Sequence, residues 1–210
     1  MNSNRTIDHL VYAVPDFEKA FDDFEKLLGV RPVFGGHHTT KGTKNALINL
    51  GNECYLEILA IDEANQKIHS PRWMGIDLIQ KPTMTRWCLK SEKLEKDAQI
   101  LRNYDPKSGE ISSGQRKTGD GKLLNWNMIL PLAEPEVDLI PFMINWERDS
   151  VHPTANLEEK CCLVGMEFTH PNPDILKPIW EGLSLDFEIK RGEKLSISVQ
   201  IECPNGIIEI

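Results

Sequence analysis

Positive charge is in short supply in this chain, where 24 Lys and Arg stand against 32 Asp and Glu for a net charge of −8 over 210 residues. That balance argues against nucleic acid or an anionic membrane surface as the main partner, since either would need a cationic face. Long apolar runs are also missing. None approaches the roughly 18 residues of a membrane span, and the polar start MNSNRTID lacks the apolar stretch of a secretory signal. A cytoplasmic protein is expected, with neither nucleic acid nor membrane as partner. Cysteine is sparse: Cys54, Cys88, Cys161, Cys162 and Cys203 are odd in number and contain no CxxC pair. This usage suits reduced, mostly buried thiols, and Cys161 and Cys162 as strand neighbours would point to opposite faces. No GxxxxGK[ST] loop occurs, and the Gly-rich stretch 113–121 precedes a strand rather than a helix, so it is not a phosphate loop.

What the chain does have is enough apolar material, 40 % of its residues, for one large domain or two small ones. Residues 7–14 are dense in β-branched and aromatic side chains and read as a strand with His9, Val11 and Ala13 on one face. Pro15 ends it and Asp16 is a good N-cap. Phe17, Ala20, Phe21, Phe24, Leu27 and Leu28 then fall at helical spacing opposite a charged face, and Gly29 is placed to close the helix. A turn-rich passage with Gly35, Gly36, His37, His38 and Gly42 leads to strands at 45–50 and 54–61, giving the order β-α-β-β-β over 6–62.

After a connector with a helical turn near 74–79, the pattern starts again over 83–147. A strand at 85–90, a helix from Leu94, a Gly-rich loop at 113–121 and strands at 123–130 and 139–146 are expected, with Pro141 a warning inside the last. A third unit is expected over 161–210, with a helix kinked by Pro178 and strands at 163–169, 186–190, 195–202 and 207–210. The three units read as one internal repeat, with Tyr55-Leu56-Glu57-Ile58 matching Ile207-Ile208-Glu209-Ile210 at the last strand. The fold class is α+β, made of repeated βαβββ modules.

His9 and Glu57, on the first and last strands of one unit, are the strongest chemical lead. Arg116 could clamp a carboxylate or phosphate, or sit on a surface turn. Trp87, Trp126 and Trp146 could form an aromatic wall or fill the core.

The segments DHLVYAVPD, GVRPVFGGHH with GTKNAL, YLEI, PRWMGIDL, LNWNMILP and LIPFMINW together resemble the vicinal-oxygen-chelate superfamily, and within it the glyoxalase-like branch. The resemblance implies a glyoxalase-like domain over 1–147, with two modules (6–62 and 83–147) paired around a cleft and a third module following at 161–210. It implies a small oxygenated organic ligand and one divalent ion such as Zn, Fe, Mn or Ni, either for lyase, isomerase or dioxygenase chemistry or, without metal, for binding alone. By resemblance His9, His38 and Glu57 are the expected metal ligands, with Glu57 also catalytic, and Asn45, Arg86, Trp87, Arg116 and Trp126 the substrate contacts. The second module departs from the pattern, with Arg86 or Trp87 and Met143 where ligands would stand. Glu209 reads as solvated. Three sheets leave one face unpaired, so a homodimer is expected unless the third packs in cis.

Overall fold

Asp16 accepts the Lys19 backbone amide at 2.9 Å, and this cap starts helix α1 (Phe17–Leu28) directly after strand β1 (Ile7–Ala13). Gly29, at φ 72°, adopts the left-handed conformation that ends it. Phe17, Ala20, Phe24 and Leu28 are buried along the face turned to the sheet. Strands β2 (Val33–His38), β3 (Thr43–Asn49) and β4 (Tyr55–Ile61) follow, and β4 returns to lie parallel to β1. This computed structural model describes residues 5–65, 67–117 and 123–210.

The second unit repeats the wiring. Strand β5 (Thr83–Lys90), helix α2 (Leu94–Tyr104) and strands β6 (Ile111–Lys117), β7 (Leu123–Ile129) and β8 (Phe142–Trp146) place β8 parallel to β5. An antiparallel pairing of β1 with β5 joins the halves into an eight-stranded mixed sheet, ordered β2-β3-β4-β1-β5-β8-β7-β6. The sheet curls until its two ends meet. There the Arg116 guanidinium of β6 donates to Asn45 Oδ1 of β3 at 3.2 Å.

The C-terminal unit holds β9 (Cys162–His170), α3 (Lys177–Gly182), β10 (Ile189–Arg191), β11 (Ser196–Cys203) and β12 (Gly206–Glu209), so its element order is the expected one. Its wiring is not. The sheet runs β10-β9-β11-β12, leaving the last strand at an edge instead of beside the first. It is therefore no third copy of the module. The likeness of residues 207–210 to 55–58 stops at the sequence: the four residues are buried in β4, whereas Ile207 and Glu209 are exposed on the edge strand β12.

This sheet covers the outer face of the barrel. Phe168, Ile197, Val199 and Ile201 join Leu10, Leu56 and Leu89 in one core. The centre of the contact is Trp87, fully buried, 4.9 Å from the Phe168 ring and 5.3 Å from Phe187. Such aromatic pairs contribute about 0.5–1.5 kcal/mol each beyond their buried area. The apolar face is thus occupied in cis, which removes the premise of the homodimer expectation.

Four local expectations change. The passage read as turn-rich contains β2, whose register shifts between Phe34 and Gly36. The loop at 113–121 is strand as far as Lys117; its remainder lies outside the described residues. Strand β8 begins only after Pro141, which lacks the ladder donor. Pro178 stands in the first turn of α3, directly after a 3-10 turn at Pro173–Leu176, where its missing N–H costs nothing. Among the described residues no helix is long and apolar enough to cross a membrane.

Candidate functional site

Alternation along the strands sorts side chains into two sets. Leu10, Leu56, Ile58, Trp87, Leu89 and Met143 face outward to the helices and the C-terminal sheet. Val11, Ala13, Cys88, Trp126, Met128, Phe142 and Ile144 face inward. His9, Asn45, Glu57 and Arg116 share this inner side and line a narrow cavity of about 30 Å³ with His38 and Tyr55. Trp73, Met74, Trp126 and Trp146 form its apolar wall. A larger surface groove between α1 and the end of β1, lined by Tyr12, Phe24, Leu27 and Pro82, has no histidine or arginine along it.

Glu57 is the centre of the polar set and is 3 % exposed. One oxygen, Oε1, accepts from Asn45 Nδ2 at 2.6 Å, and Arg116 fixes that amide by donating to its Oδ1. His38 Nε2 lies 3.8 Å from Oε1, and His9 Nε2 lies 3.7 Å from Oε2. The carboxylate thus has an imidazole on each side.

Both rings turn Nε2 toward the cleft and Nδ1 toward a partner on the far side. His9 Nδ1–H donates to Asp8 Oδ1 at 2.6 Å, and Asp8 also accepts from Trp146 Nε1 at 2.9 Å, with His152 Nε2 at 3.3 Å. Burial alone would raise the Asp8 carboxyl, but the hydrogen bonds and charge of His152 and His9 outweigh it and hold it well below the usual range. Asp8 therefore acts as acceptor and the proton sits on His9 Nδ1. For His38, the Asn45 amide approaches Nε2 at 3.4 Å, which leaves Nδ1–H to donate to Thr43 Oγ1 at 3.0 Å. Burial, helped by Arg116 and opposed by Glu57, pushes the His38 pKa down to about 4, so the ring is neutral near pH 7.

Asp8, His9 and Cys88 offer ligand atoms within 4.8 Å of one another, a buried group that could hold a metal ion; among the described residues His9, His38 and Glu57 do not draw together as closely. In this group Asp8 is engaged by His9, Trp146 and His152, and burial, with Asp8 and Glu57 nearby, keeps the Cys88 thiol pKa well above 9.0.

Other expected residues lie elsewhere. Trp87 is corrected: it points into the outer core, as does Met143, and cannot touch a ligand in the cleft. Arg86 is corrected as well. It is 1 % exposed and spends its guanidinium on the carbonyls of Thr85, Leu132, Pro135 and Glu136, holding the 132–136 loop. His37 is turned outward to Asp62 at 2.8 Å. Glu209 is exposed and accepts from Ser198 Oγ. Asp8, Cys88, Trp73 and His152 were not anticipated. The Asp8-His9 dipeptide was visible, but strict alternation puts neighbours on opposite faces, and only the register shift of β1 against β5 between Ile7 and His9 lets them meet.

Two β-α-β-β-β halves joined through their first strands, with an inward cleft, define the vicinal-oxygen-chelate fold. The model of the family described as "Glyoxalase-like domain" matches residues 7–184, and the chain belongs to that family. No curated protein matches the sequence. A solved hypothetical protein from Staphylococcus aureus is 16 % identical with a TM-score of 0.67, over 91 % of this chain and 88 % of its own. Methylmalonyl-CoA epimerase from Mycobacterium tuberculosis is 18 % identical with a TM-score of 0.42, over 70 % of this chain and 91 % of its own. At 16 % identity the likeness to the first is one of fold alone.

Proposed function

We propose that the cleft binds a small oxygenated organic molecule beside one divalent cation held by His9, His38 and Glu57, with lyase, isomerase or dioxygenase-type chemistry as the outcome. The observation that carries this reading is the pair of tautomer locks, Asp8 on His9 and Thr43 on His38, since metal-binding imidazoles are oriented in this way by a partner on the other nitrogen. Two imidazole nitrogens and a carboxylate suit Zn, Fe, Mn or Ni. When bound, the ion would polarise paired ligand oxygens.

The protein's own groups account for the rest. Glu57 Oε2, the oxygen not bonded to Asn45, is available to accept a proton from a carbon next to those oxygens. Arg116 orients an anionic end, while Trp126, packed on Trp146 with ring centroids 5.4 Å apart, keeps water from the opposite side.

The test is extraction of the purified protein followed by mass spectrometry, alongside an Arg116→Ala variant. A stoichiometric small oxygenated molecule that is lost from the variant is expected. Empty wild-type protein that also binds no small oxo- or hydroxy-acid in a thermal-shift screen would refute the reading. A metal-free binding role is the second reading, favoured by the 2.6 Å Asn45–Glu57 contact, which satisfies one carboxylate oxygen without an ion. Ligand binding unchanged by chelation would select it.

A further inference from the structure

Trp73 separates the cleft from a second cavity. On its inner side it lines the site described above, where its ring lies 5.4 Å from His38 and its Nε1–H donates to Thr43 at 3.1 Å. On its outer side it lines a concavity of about 320 Å³ with Lys41, Arg72, Lys107 and the chain at 130–133. Lys41 Nζ sits 5.5 Å from the centre of the Trp73 ring. The charge of this cavity runs against that of the molecule: three cations face one acid, Glu110, in a chain of net charge −8.

The cations are built into different parts of the fold. Lys41 lies in the turn between β2 and β3, three residues after His38, and Lys107 lies in the loop after α2. Arg72 is anchored by Asp77 and by the carbonyl of Ile68, while its buried Nε has no partner in the protein. The far wall is held by the Met74 amide, which donates to the Leu132 carbonyl at 3.0 Å, and by Arg86, which grips the loop behind it. Asp77 offsets Arg72 in part, so Lys41 and Lys107 supply the accessible positive charge.

We propose that this outer cavity is an anion-binding vestibule in its own right, in which Lys41, Lys107 and Arg72 hold a phosphate or a carboxylate. It lies on the other side of Trp73 from the cleft and does not depend on what the cleft binds. Lysine serves as a point charge that favours an anion without demanding one geometry, which suits an open cavity of this size.

Isothermal titration of the full chain with inorganic phosphate, and separately with succinate, tests the vestibule without needing the natural ligand. Saturable binding of at least one is expected, and the tighter of the two names the anion. The Lys41→Ala/Lys107→Ala variant should weaken it by about tenfold or more, since a charge-assisted contact contributes about 1.5–3 kcal/mol. Lys107→Glu, at an exposed position that leaves the fold intact, should do the same. Glu57→Gln should leave the affinity unchanged, so loss of the cleft reading and loss of the vestibule reading are separable. No saturable binding, equal affinity in the lysine variants, or loss of binding only in Arg116→Ala would overturn the proposal.

Discussion

Asp8 and His9 are adjacent in sequence, yet their side chains meet at 2.6 Å in the protein interior. The Asp8 carboxylate, fully buried, also takes the indole N–H of Trp146. A buried carboxylate that keeps its charge for one imidazole fixes which nitrogen of that ring faces the cleft.

Replacing Asp8 with Asn should therefore cost about 3–5 kcal/mol, the range for breaking a buried charged contact by removing one partner. Urea denaturation of the two proteins measures it. A loss below about 1 kcal/mol would mean that the contact is incidental.

The pH dependence follows from the same carboxyl. Its pKa is held below the 3.8 of an unfolded chain, so the unfolded state takes up the proton first on acidification. Its stabilisation is complete above that value and is lost as pH falls through and below 3.8. His38 acts in a different window. Its pKa is about 4 when folded and 6.5 when free, so metal-free protein should lose about 3 kcal/mol as pH falls from 6.5 to 4. His38→Gln should flatten that window and leave the more acidic one, whereas Asp8→Asn should do the reverse. Midpoints of urea unfolding across the pH range separate them.

Trp87→Ala should cost about 3–5 kcal/mol by leaving a cavity where the C-terminal sheet meets the barrel. Proteolysis of the variant should first cut within 161–210. Equal loss of protection across the whole chain would show that the contact does not hold that unit in place.

Arg86→Met removes a guanidinium that serves four carbonyls, two of them on Leu132 and Pro135. Hydrogen exchange should rise in 131–137 and remain unchanged in β1 and β4. Exchange rising evenly over the barrel would contradict a local bracing role.

Much of this architecture was legible because it follows from periodicity and caps. Asp16, the apolar face of α1 and Gly29 define one helix without tertiary information, and the wiring of the first two units repeats. The edge strands β2 and β6 were harder, since Gly35, Gly36 and Gly114 carry little strand propensity and gain their pairing from neighbours. At the site, His9, His38, Asn45, Glu57, Arg116 and Trp126 do converge on one cavity. Trp87 lies with Leu89 on the outward face, as alternation from the inward Cys88 requires, and Arg86 is taken up by carbonyls of the 132–136 loop that only the tertiary fold brings to it. Asp8 was hidden because the register of β1 shifts between Ile7 and His9, which leaves no mark in the sequence.

The most direct measurement is elemental analysis of purified protein, with melting temperature after chelation and re-addition of Zn, Fe, Mn or Ni. One divalent ion per chain is expected, raising the melting temperature by mass action, lost in His38→Ala and Glu57→Ala and retained in Cys88→Ser. An ion kept by His38→Ala but lost from Cys88→Ser would move the site to Asp8, His9 and Cys88. No bound ion in the wild type, and no stabilisation by any of the four, would contradict the metal-centred account.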